Sequence, residues 1–322
     1  MESFLYHYIR SMRLYYGFVT MTTALVGMML AYGDRNPPSH GIHDAIVLVI
    51  AFLAWGVNQI FSDYFDRKED AINAPHRPMV TGALKPKPAL TLSACLMLLI
   101  GVVSFALSPY ALIYLVIGGL LNIAYSWLKS VPVLNCIVYA CAISYCSLFA
   151  YAGVADRAPD VFTFIVILIF VFPAHFLMCH NSYYKDVKGD RAAGVRTLQT
   201  LFSPVIARCF SWIVGGLFIL YRFLAFFAIG VGCYDDSWYA SRTLFFVLLF
   251  SQLVLELALQ GFFMRNIKLK LFHRATCLNC QCCVSMLYMV VLFHYFKYFF
   301  VFEILSLLAI QLLFRWYRDE KE

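Results

Sequence analysis

The stretch "SDYFDRKEDAINAPHRP", residues 62–78, decides how this chain is read. It sets Asp63, Asp66, Glu69 and Asp70 at the end of a mostly apolar run, 43–65. Acids in that position are either a solvated helix end or part of a site. On one helix Asp63, Asp66 and Asp70 are spaced i, i+3, i+7 and share a stripe, with Glu69 off its centre. A second stretch, "YYKDVKGDRAAGVRT" at 183–197, spaces Asp186 and Asp190 i, i+4, again on one face. Like charges at such spacing repel, and a divalent cation removes the repulsion. Magnesium takes one or two carboxylates and completes its shell with water and substrate phosphate. Two Asp clusters without His or Cys therefore suggest a Mg²⁺–diphosphate site rather than zinc or iron.

The surroundings are a membrane. The chain has 322 residues, 62% hydrophobic and 13% charged, with a mean hydropathy of +0.75. Soluble domains carry about a quarter charged residues, so the composition predicts an all-α polytopic membrane protein. The net charge of +7 lies in short loops between apolar runs, which argues for topology and against nucleic acid. The N-terminal "MESFLYHYIRSMRLYYG" lacks the pattern of a cleaved leader and is expected to be retained.

Runs long enough to span a bilayer fall near 14–32, 43–65, 88–107, 109–127, 132–153, 160–184, 204–231, 241–264 and 276–296. That predicts about nine transmembrane helices, with 298–316 a tenth candidate. With the N-terminus in the cytoplasm, all 25 Lys and Arg fall on the cytoplasmic side except Arg35, Arg157, Arg222, Arg242 and Lys297. This is the positive-inside pattern, and it delivers both acidic segments to the cytoplasmic face of one membrane domain, 1–322. An apolar run that ends in acids and a basic loop occurs at 43–82 and again at 160–204. The echo suggests two pseudo-repeated halves, roughly 1–130 and 131–322, that build one site.

Arg67, Lys68, Arg77, Lys129, Lys185, Lys188, Arg191 and Arg196 surround the acids. They are either diphosphate ligands or ordinary topology anchors. His175, His180, Asn181, Tyr183 and Tyr184 precede the second acidic segment, placed to face a cavity or to be satisfied structural groups. Glu256 and Arg222 read as buried partners. Cys277, Cys280, Cys282 and Cys283 form C-x-x-C-x-C-C, a spacing open to metal or acyl chains, but no second ligand pair follows. The plainer reading is reduced thiols at a helix start.

"SDYFDRKEDAINAPHRPMVTGAL" resembles the first signature of the UbiA superfamily of intramembrane prenyltransferases through Asp63, Asp66, Asp70, Asn73, Pro75, Arg77, Pro78, Thr81 and Gly82. "KDVKGDRAAGVRTL" is similar to the second, through Asp186, Gly189, Asp190, Gly194 and Thr197. "AYSWLKSVPVLNCIVYA" resembles the connection after the fourth span, with Tyr125 and Lys129 in the expected places. Ser62 departs from the family's Asn: either Asn58, four residues earlier on the same face, supplies the missing amide, or Ser62 coordinates through its own hydroxyl, or the metal shell is altered.

The resemblance implies a helical bundle around a central cavity. It implies an isoprenyl group passing from a polyprenyl diphosphate to a lipophilic or aromatic acceptor, with membrane lipids around it and Mg²⁺ held by Asp63, Asp66, Asp70, Asp186 and Asp190. Substrate contacts are then expected from Asn58, Ser62, Arg67, Arg77, Tyr125, Lys129, Asn181, Tyr183, Lys185 and Lys188. The first rival is a terpene cyclase of the same superfamily. The second is a cation-binding transporter, which predicts charged or broken helices near the bilayer midplane.

Overall fold

The computed structural model describes residues 3–35, 41–230, 247, 250–263, 269–291 and 296–316. Among these no strand occurs, and seven helices are long and apolar enough to cross a membrane. They run Leu14–Tyr32, Gly41–Phe65, Pro86–Leu107, Pro109–Leu128, Leu134–Ala155, Val161–Lys185 and Pro204–Tyr221. The protein is a multi-pass membrane protein. Of the other expected runs, 241–264 and 276–296 lie partly outside the described residues, the latter falling on a further helix as far as Val291, while 298–316 falls on another.

In chain order the elements are α1 (Phe4–Ser11), α2 (Leu14–Arg35), α3 (Gly41–Phe65), α4 (Arg67–Asn73), α5 (Pro86–Leu107), α6 (Pro109–Leu128) and α7 (Leu134–Ala155). They continue with α8 (Val161–Phe170), α9 (Phe172–Ser182), α10 (Val187–Ala192), α11 (Leu198–Leu201) and α12 (Pro204–Gly230). After a π-helical turn at Leu259–Phe263 come α13 (Leu269–Val291) and α14 (Phe296–Trp316).

Local chemistry sets the ends. Proline opens α5, α6 and α9 in the first turn, where its missing N–H is no loss. Ser108 caps α6 by accepting from the Tyr110 N–H at 3.2 Å, and Asp160 caps α8 by accepting from the Thr163 N–H at 2.6 Å. Pro173 also divides the sixth span into α8 and α9.

The centre of the bundle is α2 and α7. α2 packs against α3, α7, α13 and α14, and α7 against α6 and α9. The α2–α7 approach is close enough that a Cβ on Gly27 would overlap the Ser147 carbonyl. The Ser147 hydroxyl donates to the Thr23 carbonyl at 2.5 Å across the same seam. Small residues permit this approach between membrane helices. The cysteines Cys277, Cys280 and Cys283 lie within α13 and are buried; Cys280 Sγ is 3.4 Å from His175 Nδ1.

Candidate active site

Both acidic segments interrupt their helices in the same manner. α3 ends at Phe65, Asp66 takes φ −84° and ψ 9°, and α4 follows. α9 gives way to a 3₁₀ turn, Tyr183–Lys185; Asp186 takes φ −101° and ψ −2°, and α10 follows. The stripe expected along one continuous helix is therefore divided, with Asp63 on α3, Asp66 at the break and Asp70 on α4. α4 and α10 pack together, and the Gly189 N–H donates to Asn73 Oδ1 at 2.7 Å. The two segments meet.

They line a polar pocket of about 800 Å³, whose walls include Ser62, Asp66, Asp70, Arg77, Lys129, Lys185 and Asp186. Cations pair with the acids around it. Lys129 Nζ lies 3.5 Å from Asp66 and 3.8 Å from Asp190. Arg77 pairs with Asp70 and reaches Asp63 at 3.9 Å. Lys185 lies 3.7 Å from Asp186. Tyr125 and Tyr183, both on the pocket wall, share a hydroxyl hydrogen bond of 2.8 Å.

Asp63 is held differently. It is buried, and Arg13, from the α1–α2 junction, donates to Oδ1 at 2.5 Å. Gln59 Nε2 donates to the same oxygen at 3.1 Å. Arg13 and Gln59 also line the pocket, with Tyr16, Trp55, Asn122, Tyr139 and Ser182, none of them singled out from the sequence. The Gln59 signal was there, four residues before Asp63. Arg13 carried none beyond its charge, because its partner is fifty positions away.

Other expected residues sit elsewhere. Arg67 is exposed, stacked 4.2 Å over the Tyr64 ring with Nε donating to the Tyr64 carbonyl at 2.9 Å. Lys188 is exposed on α10. Asn181 is buried away from the pocket, donating to Thr276 Oγ1 and accepting from Ser211 and Gln260. Asn58 lines a second cavity, described below. His180 is buried against Gln199 and Ala207, and His175 against Thr23. Glu256 is buried and accepts from Asn279 Nδ2 at 2.6 Å, while the Arg222 side chain lies outside the described residues.

Burial and charge set the protonation of the pocket. Burial pushes the Asp190 carboxyl up to about 7; Lys129 opposes this, while Asp186 and Asp66 add to it. Burial likewise raises Asp66 against the pull of Lys129. For Lys129 and Arg13 burial works against the charge, but the acids win and both are held above their ordinary values. Asp66 and Asp190 lead for Lys129, and Asp63 for Arg13.

The residues fit a divalent cation. Both carboxylate oxygens of Asp190 and Oδ2 of Asp70 are buried and make no hydrogen bond, a costly condition that an ion relieves. Among the described residues no three His, Cys, Asp or Glu converge tightly enough to hold an ion alone. Water and phosphate oxygens would complete the shell, as Mg²⁺ prefers.

Beneath the polar pocket lies an apolar cavity of about 560 Å³ among α2, α3, α5, α6 and α7. Met97, Leu115, Gly119, Ile143 and Phe149 are among its walls, and Asn58 contributes one of its few polar groups. Trp55 and Asn122 belong to both cavities. A charged head and a hydrocarbon tail would meet at that shared wall.

Fold and site thus define a membrane-embedded protein in which a charged pocket and an apolar cavity share a wall. The model of the UbiA prenyltransferase family matches residues 20–261, and the chain belongs to that family. It is 34% identical over 180 residues to digeranylgeranylglyceryl phosphate synthase of Natronomonas pharaonis, covering 54% of this chain and 60% of that protein. It is 27% identical over 174 residues to the bacteriochlorophyll synthase 33 kDa chain of Rhodobacter capsulatus, covering 50% and 56%. The chain thus spans under two thirds of the length of these curated relatives.

The fold also matches solved structures. A digeranylgeranylglyceryl phosphate synthase aligns with a TM-score of 0.63 at 16% identity, covering 92% of this chain and all of that one. A UbiA homologue from Archaeoglobus fulgidus bound to GPP and Mg²⁺ aligns with a TM-score of 0.63 at 14% identity, covering 88% and 99%.

Proposed function

We propose that this protein transfers an isoprenyl group from a polyprenyl diphosphate to a lipophilic or aromatic acceptor. The observation that carries the reading is the wall shared by the polar pocket and the apolar cavity, at Trp55 and Asn122. A diphosphate in the polar pocket would lie among Arg77, Lys129 and Lys185, and its tail would run into the cavity lined by Met97, Leu115 and Phe149. Asp66, Asp70, Asp186 and Asp190 would hold Mg²⁺, which when bound neutralises charge on the departing diphosphate. Membership of the family supports the reading, as does the Mg²⁺ and GPP found in the Archaeoglobus fulgidus homologue.

The chain's own groups do the rest. Lys129 and Arg77 stay charged in the buried pocket and stabilise the leaving anion. Trp55 packs against Tyr16 and Tyr139, with centroids 5.3 and 5.7 Å apart, and Tyr139 against Tyr125 at 5.4 Å. These aromatic faces would surround a carbon that turns cationic as the C–O bond breaks, and they exclude water from it. The basic loops support a cytoplasmic opening.

The test is purified protein, a radiolabelled prenyl diphosphate and a membrane lipid extract, with product analysis. A prenylated acceptor that disappears in excess chelator is expected. Undiminished turnover in chelator overturns the metal reading, and a cyclic hydrocarbon product turns transfer into cyclisation.

A further inference from the structure

Behind the wall of the polar pocket lies a histidine that diphosphate chemistry leaves without a task. His273, on α13, is 1% exposed. Its ring reaches pocket-lining groups twice: Nε2 lies 2.8 Å from the Tyr16 hydroxyl, and Nδ1 lies 3.0 Å from Ser182 Oγ. Cys277 Sγ, at 3.9 Å from Nε2, and the Phe314 ring, edge-on at 6.4 Å, also pack against it.

The proton positions follow from Ser182. Its hydroxyl donates to the Met178 carbonyl at 2.7 Å, so Oγ accepts from Nδ1–H of the histidine. A neutral imidazole carries one N–H. Nε2 is therefore the nitrogen with the lone pair, and Tyr16 O–H donates to it. This is the tautomer a base needs, aimed at the pocket through a phenol. Tyr16 packs on Trp55, one of the two residues common to both cavities, which puts that phenol beside the place where the reacting carbon would sit.

We propose that His273, acting through Tyr16, takes up the proton that a hydroxyl-bearing acceptor gives up during prenyl transfer. The proposal rests on the prenyl-transfer reading above and narrows the acceptor to an alcohol or phenol. The donor's C1–O bond breaks and its electron pair leaves with the diphosphate. A lone pair of the acceptor oxygen forms the new bond to C1. The acceptor proton passes to Tyr16 Oη as the proton of Tyr16 moves to Nε2. The imidazolium then donates from both nitrogens, to Tyr16 and to Ser182, and returns its proton by the same path to water or diphosphate in the pocket. His273 touches no substrate; it is a positioning residue and proton store for Tyr16.

The test separates bond breaking from proton removal. The full chain is given geranylgeranyl diphosphate carrying ¹⁸O at the bridging position, with Mg²⁺ and a panel of lipid-soluble phenols and glyceryl-ether alcohols. Scrambling of the label reports C1–O cleavage and return without any acceptor. H273Q keeps a polar group near Tyr16 but cannot store a proton, and H273A is assayed with and without imidazole. The relay predicts that H273Q scrambles label at the wild-type rate while prenylating acceptors about a hundredfold or more slowly, and that imidazole restores part of the transfer by H273A. Equal loss of scrambling and transfer in H273Q, or unchanged transfer, overturns the relay. A wild-type protein that neither scrambles label nor prenylates any member of the panel overturns the prenyl-donor reading itself. One that scrambles but prenylates no member of the panel overturns the hydroxyl acceptor and the relay with it.

Discussion

One residue of rotation, about 100° on a helix, separates Asn58 from Gln59, and it sends them to different cavities. Asn58 lines the apolar cavity, while Gln59 lines the polar pocket and donates to Asp63. Gln59, rather than Asn58, is thus the amide beside Asp63, and Ser62 lines the pocket as well. Ser62→Ala is accordingly expected to raise the Mg²⁺ requirement about ten- to a hundredfold, and Asn58→Leu to leave it unchanged, both read from turnover against Mg²⁺ concentration. A Mg²⁺ dependence that follows Asn58 instead would reverse the assignment. The acids themselves were legible because spacing along one chain is visible in sequence. Arg13, Tyr16 and His273 were not, because their roles come from contacts between α2, α3 and α13 that no local pattern announces.

Proton competition belongs to the same scale. The Asp190 carboxyl, pushed up to about 7 from an ordinary value of 3.8, holds a proton in the metal-free protein across that window. The folded chain then binds more protons than the unfolded one, so metal-free stability declines as pH rises from about 4 to about 7. Mg²⁺ must displace the proton. Its apparent affinity should fall by about tenfold per pH unit below 7 and level off above, measured by calorimetry; Asp190→Asn should flatten the slope.

At the scale of elements, the site depends on two short helices touching. α4 and α10 are seven and six residues long, too short to persist alone. Gly189 is where they meet: a Cβ there would overlap the Asn73 side chain, which accepts the Gly189 N–H. Gly189→Ala should force the pair apart, at about 1–3 kcal/mol of strain, weakening Mg²⁺ binding more than it lowers the unfolding temperature. Equal activity and metal affinity would show that the contact is dispensable. The helix breaks at Asp66 and Asp186 were hidden from sequence because the i, i+3 and i+4 spacing of the acids fits an unbroken helix equally well. The spans were legible: each of the seven is a long apolar run bounded by Pro, Gly or charge.

Across the whole molecule, the two acidic segments share one pocket and hence one side of the membrane. Cysteines introduced at Lys87 and Lys188, both exposed, in a background lacking native cysteines, should react with an impermeant reagent from the same side. The basic loops predict the cytoplasmic side. Labelling from opposite sides would take the pocket apart. The wall shared at Trp55 and Asn122 has a consequence for how such an enzyme diversifies. On the proposed seating the bond that breaks is moored at that wall by its charged end, whatever the tail, so a longer hydrocarbon extends only away from it. Catalytic competence and donor length then become separate inheritances. Substitutions at Met97, Leu115 or Phe149 would choose among homologous donors while the reacting carbon keeps its address.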